Sequence, residues 1–300
     1  MTLNTVALEL VPPNLELGTA HALAEVRKVG TLARDTGIDR QLCHIMIPGM
    51  IEEDGDRPVE MQPKFDVLDY WELVQRELPD VRGLCTQVTS FLDEQSLHSR
   101  LTALTRIGFD GIAFVGVPRS MQDGDGTGMS PIDALSRFTG LVRHRGVILI
   151  PTRADETHRF GVKCDRGATY GMTQLLYSDA IVDFLTQFAR SCDHRPEVLL
   201  SFGFVPKLES TVGLINWLIQ DPGNEVVAEE QEFVRRLAAS DPGRKRTLMV
   251  DLYKRVIDGV IDLGFPLSVH FEATYGVSKP AFETFAEMLD HWAPVQTSPS

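Results

Sequence analysis

Glu9 is the only charge in the run Ala7-Leu8-Glu9-Leu10-Val11, which Pro12-Pro13 brings to a stop. An apolar shell disfavours the ionised form of a carboxyl, so a group placed there keeps its proton towards neutral pH and can act as a general acid. The plainer reading is a Glu that faces solvent from an edge strand, because a buried carboxylate without a partner is costly. Position has to decide between the two. A second acid, Glu272, closes the apolar run Leu267-Ser268-Val269-His270-Phe271-Glu272, and it either assists Glu9 or lines the same pocket. Other reactive residue types give weaker signals. Cys43, Cys85, Cys164 and Cys192 lie far apart, with no CxxC and no Cys/His cluster at metal spacing, so they read as free thiols and no metal is expected. His44, His144 and His270 do not cluster in sequence and read as structural. Gly124-Asp125-Gly126-Thr127-Gly128 lacks the Lys-Ser/Thr of a phosphate loop and the later Glu of a calcium loop.

For Glu9 to work as an acid, some element must hold it over a pocket. Short apolar runs alternate with longer amphipathic ones along the chain, the pattern of repeated strand and helix units around a parallel sheet. Eight strands are predicted, at 5–11, 43–48, 82–88, 111–117, 147–152, 170–176, 197–204 and 267–273. Several are apolar on both faces, as strands covered by helices should be. Ser130-Pro131-Ile132-Asp133 predicts a helix start and an amphipathic run to His144. Two helices, 224–240 and 245–263, are predicted between strands seven and eight, with Asp-Pro-Gly turns at Asp221 and Asp241.

This arithmetic is that of an α/β TIM barrel of one domain, with an open doubly wound sheet as the alternative. No Gly-rich dinucleotide fingerprint follows an early strand, which favours the barrel. The barrel is expected to span 1–293, followed by a disordered tail at 294–300. Barrel active sites lie at the C-terminal strand ends, which is where Glu9 falls. The segment around Gly124 then reads as a loop over the mouth.

Composition sets outer limits. A chain of 300 residues with 43% hydrophobic and 24% charged content is ordinary for a globular protein. Its net charge of -13 argues against a nucleic-acid partner. No window approaches a membrane span and no secretory signal opens the chain, so the cytoplasm is the expected location. Oligomeric state is left open.

Leu8-Glu9-Leu10-Val11-Pro12-Pro13 resembles the opening strand of the methylenetetrahydrofolate reductase family, and further matches follow in order. Lys163-Cys164-Asp165-Arg166-Gly167-Ala168 is similar to that family's Lys-Val-Asp-Ala-Gly-Ala, and Met172-Thr173-Gln174 to its Ile-Thr-Gln. Gly203 and Pro206 match its Pro-Gly-Ile-Leu-Pro stretch, and Val269-His270-Phe271 its Phe-His-Phe. The resemblance implies that Glu9 is the general acid and that Gln174 hydrogen-bonds the pterin of 5,10-methylenetetrahydrofolate. Gln87 stands where the family usually has His, Thr89 is retained, and Phe204 and Glu272 end strands seven and eight, so these four join the substrate-lining candidates.

Flavin-containing members end strand four with an Arg-Gly-Asp type sequence. Here that strand reads Phe114-Val115-Gly116-Val117-Pro118-Arg119, and a folate-binding Arg of strand eight is replaced near Gly276. The losses fall on the flavin side. The expectation is therefore direct hydride transfer from NADH or NADPH, with FAD doubtful. Both dinucleotide and folate are anionic, which directs attention to Arg119, Arg153 and Lys207, and then to Arg159 and Lys279.

Overall fold

The computed structural model describes residues 2–49, 58–116, 128–207, 209–273 and 277–296. Eight parallel strands close on themselves in sequence order: β1 Val6–Glu9, β2 Leu42–Ile47, β3 Arg82–Val88, β4 Phe109–Val115, β5 His144–Leu149, β6 Tyr170–Thr173, β7 Glu197–Gly203 and β8 Leu267–Glu272. Around them run α1 Gly18–Thr36, α2 Val67–Glu77, α3 Glu94–Arg106, α4 Pro131–Arg137, α5 Glu156–Asp165, α6 Ala180–Ser191, α7 Glu209–Ile219, α8 Glu225–Ala239, α9 Pro242–Val260 and α10 Lys279–Gln296. This is the expected TIM barrel. No helix among the described residues is long and apolar enough to cross a membrane.

Strand alternation sorts the apolar residues into two cores. Val6, Leu8, Ile45, Ile47, Cys85, Ile112, Phe114, Val269 and Phe271 face outward into the layer beneath the helices. Ala7, Met46, Leu84, Ala113, Tyr170, Met172 and Leu199 fill the barrel itself. Tyr170 is the largest member of that inner set. A Cβ at Gly146 would fall 2.1 Å from its Cζ, so glycine is what gives the ring its place.

Helix starts follow their caps. Asp133 N–H donates to Ser130 Oγ at 3.1 Å, with Pro131 at the first helical position. Arg244 N–H donates to Asp241 Oδ1 at 3.0 Å, so the second Asp-Pro-Gly opens α9 directly instead of forming a separate turn. Three expectations need correction. The helix after Ser130 ends at Arg137, and His144 already belongs to β5. Three helices, α7 to α9, separate β7 from β8, not two. The helix α10 reaches Gln296, past the expected end of the barrel at 293, and 297–300 lie outside the described residues.

Candidate active site

Glu9 is the last residue of β1, at the C-terminal mouth of the barrel. Ala7 points inward, so the period of two turns Glu9 inward as well. The barrel closes between β1 and β8, with Ala7 opposite His270 and Leu8 opposite Phe271. One step further along this ladder brings Glu272 beside Glu9. The donor atoms of Glu9, His270 and Glu272 lie within 4.8 Å of one another.

Electrostatics distinguish the three. Burial raises Glu9 from its usual 4.5 to about 7, which keeps a proton on it at neutral pH. Glu272 is held well above the usual carboxylate range, first by burial and then by the charge of Glu9. Full burial lowers His270 to about 3, so its imidazole is neutral. His270 Nδ1 lies 3.0 Å from Ser201 Oγ and 3.4 Å from Glu272 Oε1, while its Nε2 is buried without a partner among the described residues. Because the two carboxyls hold protons, the group is an acid pair with a neutral spacer.

Of the substrate-lining candidates, Glu272 and Phe204 come to this end of β7 and β8. The Phe204 N–H donates to Glu272 O at 2.9 Å, and the Phe204 ring lies beneath Lys245 Nζ, 5.5 Å from its centroid. Gln174 follows β6, two residues beyond the inward-facing Met172; its amide Nε2 donates to Leu218 O and so ties α7 to the mouth. Thr89 is buried, with its N–H and hydroxyl both directed at Val115 O, at 3.0 and 3.4 Å. Gln87 departs from expectation. It pairs with the outward-facing Phe114, donates from Nε2 to Val88 O at 2.7 Å and accepts from Arg100 Nε at 3.4 Å. Strand alternation therefore puts it on the α3 side of the sheet, away from Glu9.

A cationic group stands apart from the acid pair, at the end of β5. The buried Glu156 carboxylate is met by Lys163 Nζ at 3.3 Å, Arg153 Nη1 at 3.5 Å and Arg159 Nε at 3.8 Å. Lys163 also donates to Ile148 O at 2.9 Å. All three cations line a cavity of about 610 Å³, together with Phe114, Gly116 and Ile148. Lys207 is exposed just beyond β7, and Lys279 is exposed at the start of α10, 3.8 Å from Glu283. Arg119, Gly276 and the glycine loop up to Thr127 lie outside the described residues.

Sequence reasoning singled out Arg153 but not the Glu156 beneath it, and it set His270 aside as structural. The signal for the first was Lys163 inside the Lys-Cys-Asp-Arg-Gly-Ala stretch. For His270 it was the shared parity with Glu272. Three comparisons then bear on identity. Among solved structures, the chain is similar to one described as "Uncharacterized protein from Clostridium thermocellum binds two copies of 5-methyl-5,6,7,8-tetrahydrofolic acid", with 14% identity, a TM-score of 0.65, and coverage of 97% of this chain and 95% of that one. At that identity the likeness shows the fold. A search of curated proteins finds no match. The profile of one family, described as "Mycobacterial methylenetetrahydrofolate reductase", matches residues 2–296. A match over nearly the whole barrel places the chain in that family: it is a member of the mycobacterial methylenetetrahydrofolate reductase family.

Proposed function

We propose that this protein reduces 5,10-methylenetetrahydrofolate to 5-methyltetrahydrofolate, with NADH or NADPH giving its hydride directly to the folate. The observation that carries this reading is Glu9, an inward-facing carboxyl at the barrel mouth that keeps its proton near neutral pH. Glu9 protonates the bridging nitrogen, the bond from that nitrogen to the methylene carbon breaks, and its electron pair stays on the nitrogen. The iminium carbon left on the other nitrogen takes the hydride and becomes the methyl group. One proton and one hydride are consumed in each turnover, and NAD(P)⁺ leaves. Direct transfer requires both reactants to be bound together in near-attack geometry. That the Clostridium thermocellum structure binds 5-methyltetrahydrofolate supports the folate assignment.

Arg153, Arg159 and Lys163 outnumber Glu156 at their cavity, which suits the phosphates of a nicotinamide dinucleotide. Gly116 stands where flavin-containing members carry Arg and brings no side chain to anchor a flavin, which supports hydride transfer without FAD. The test is nicotinamide oxidation by purified protein, with and without methylenetetrahydrofolate and with and without added FAD. Folate-dependent oxidation indifferent to FAD is expected. A stoichiometric flavin spectrum would establish the ordinary flavoenzyme instead. Folate binding without turnover would leave a non-catalytic barrel.

A further inference from the structure

We infer that Glu272 is the positioning residue for the acid: it stands protonated beside Glu9 and returns a proton to Glu9 after each donation. This deepens the reductase reading and rests on it. The two carboxyls come from neighbouring strands, face the same interior and lie within 4.8 Å at their donor atoms. Placed this close in apolar surroundings, two carboxylates do not both ionise, and their titration belongs to the pair.

Nothing among the described residues neutralises the pair. The imidazole of His270 lies 3.4 Å from Glu272 Oε1, and it is fully buried, neutral and anchored to Ser201. Next to Glu9, β2 presents Met46, and β7 presents Ser201 and Gly203 opposite β8. Tyr177, after β6, is kept protonated first by its burial, with its hydroxyl 3.5 Å from Gly203 O. The Lys245 ammonium of α9 is taken by Val205 O at 2.6 Å, and Lys207 faces solvent. On α10, Glu283 is paired with Arg246.

The steps balance. Glu9 passes its proton to the bridging nitrogen and becomes a carboxylate, and that proton stays on the product amine. Protonated Glu272 then gives its proton to Glu9. Its side chain is 14% exposed, so it recovers a proton from water at the mouth.

The test is Glu272→Gln, which removes the second carboxyl while keeping its size. Without the proton held on Glu272, turnover follows the titration of Glu9 alone. The alkaline fall of kcat should therefore move down by about one pH unit or more. Glu272→Asp restores a carboxyl and should recover most of the shift. An unmoved pH profile in Glu272→Gln, or no recovery in Glu272→Asp, overturns the inference. A second readout uses substrate-free protein: the infrared C=O band of the buried protonated carboxyl should disappear at lower pH in Glu272→Gln than in wild type. Identical titrations overturn the proton held on Glu272 whatever the assay shows. Turnover that survives Glu9→Gln sinks the reductase mechanism instead, so the two failures are distinguishable. If Glu272→Gln does not fold, the infrared titration of Glu272→Asp decides: a wild-type profile supports the pair, and one shifted down by a unit or more overturns it.

Discussion

At the scale of the residue, Glu9 has its chemistry fixed by where the chain puts it. Glu9→Gln keeps the shape and removes the proton, so kcat should fall by about 10²- to 10⁴-fold while folate still binds. The same substitution has a stability consequence. Burial raises Glu9 from 4.5 to about 7, so the stability associated with its protonated form is complete below 4.5 and is lost as pH rises through about 7. The melting temperature of Glu9→Gln should therefore gain on wild type between about pH 5 and pH 8. Thermal melts at the two values check this, and parallel curves would contradict it. Glu9 was legible because a charge in an apolar run ending at Pro-Pro is conspicuous. Its link to Glu272 and His270 was not, because it depends on the β1–β8 register, which no local pattern encodes.

At the scale of the element, strands were the most legible feature. Their apolar runs are short and bounded, and β3 matches its expected limits, Arg82 to Val88. Faces were harder to read. Gln87 carries the right chemistry for a ligand, yet one step of alternation sends it towards Arg100. The stop of α4 at Arg137 was also missed, since the amphipathic pattern continues through the segment that leads into β5. At the end of β4, a Cβ on Gly116 would sit 3.5 Å from Pro131 Cγ, an ordinary contact, so a larger side chain is tolerated and projects into the cationic cavity. Gly116→Leu should raise the KM for NAD(P)H by about tenfold, equivalent to ~1.4 kcal/mol, and leave folate affinity unchanged. Steady-state kinetics with a parallel folate titration measure both. An unchanged nicotinamide KM would remove this cavity from the dinucleotide site.

At the scale of the whole molecule, an inner core and an outer core share one set of strands, and the inner one has little room. Tyr170 fills it, with its hydroxyl buried and without a partner, against Gly146 and Gly111. Gly146→Ala should destabilise the barrel by about 1–3 kcal/mol through overpacking. Combining it with Tyr170→Leu should give a non-additive total, because the second change removes the obstructing ring. Urea unfolding of the two single variants and the double variant measures the coupling. The barrel itself was legible from strand count and spacing, because eight strand–helix units leave few other closed arrangements. Glycine's role at position 146 was not, since it depends on a ring from the next strand.

The pairing of the first strand with the last has a consequence for how the protein comes into being. Glu9 belongs to the first strand of the barrel and Glu272 to the eighth, and the ladder that joins them is the seam of the ring. A nascent or partly refolded chain with every strand but the eighth in place has no two-carboxyl centre, so the chemistry begins only when the seam closes. Recovery of turnover during refolding is thus a built-in reporter of ring closure, slower to return than bulk helical signal.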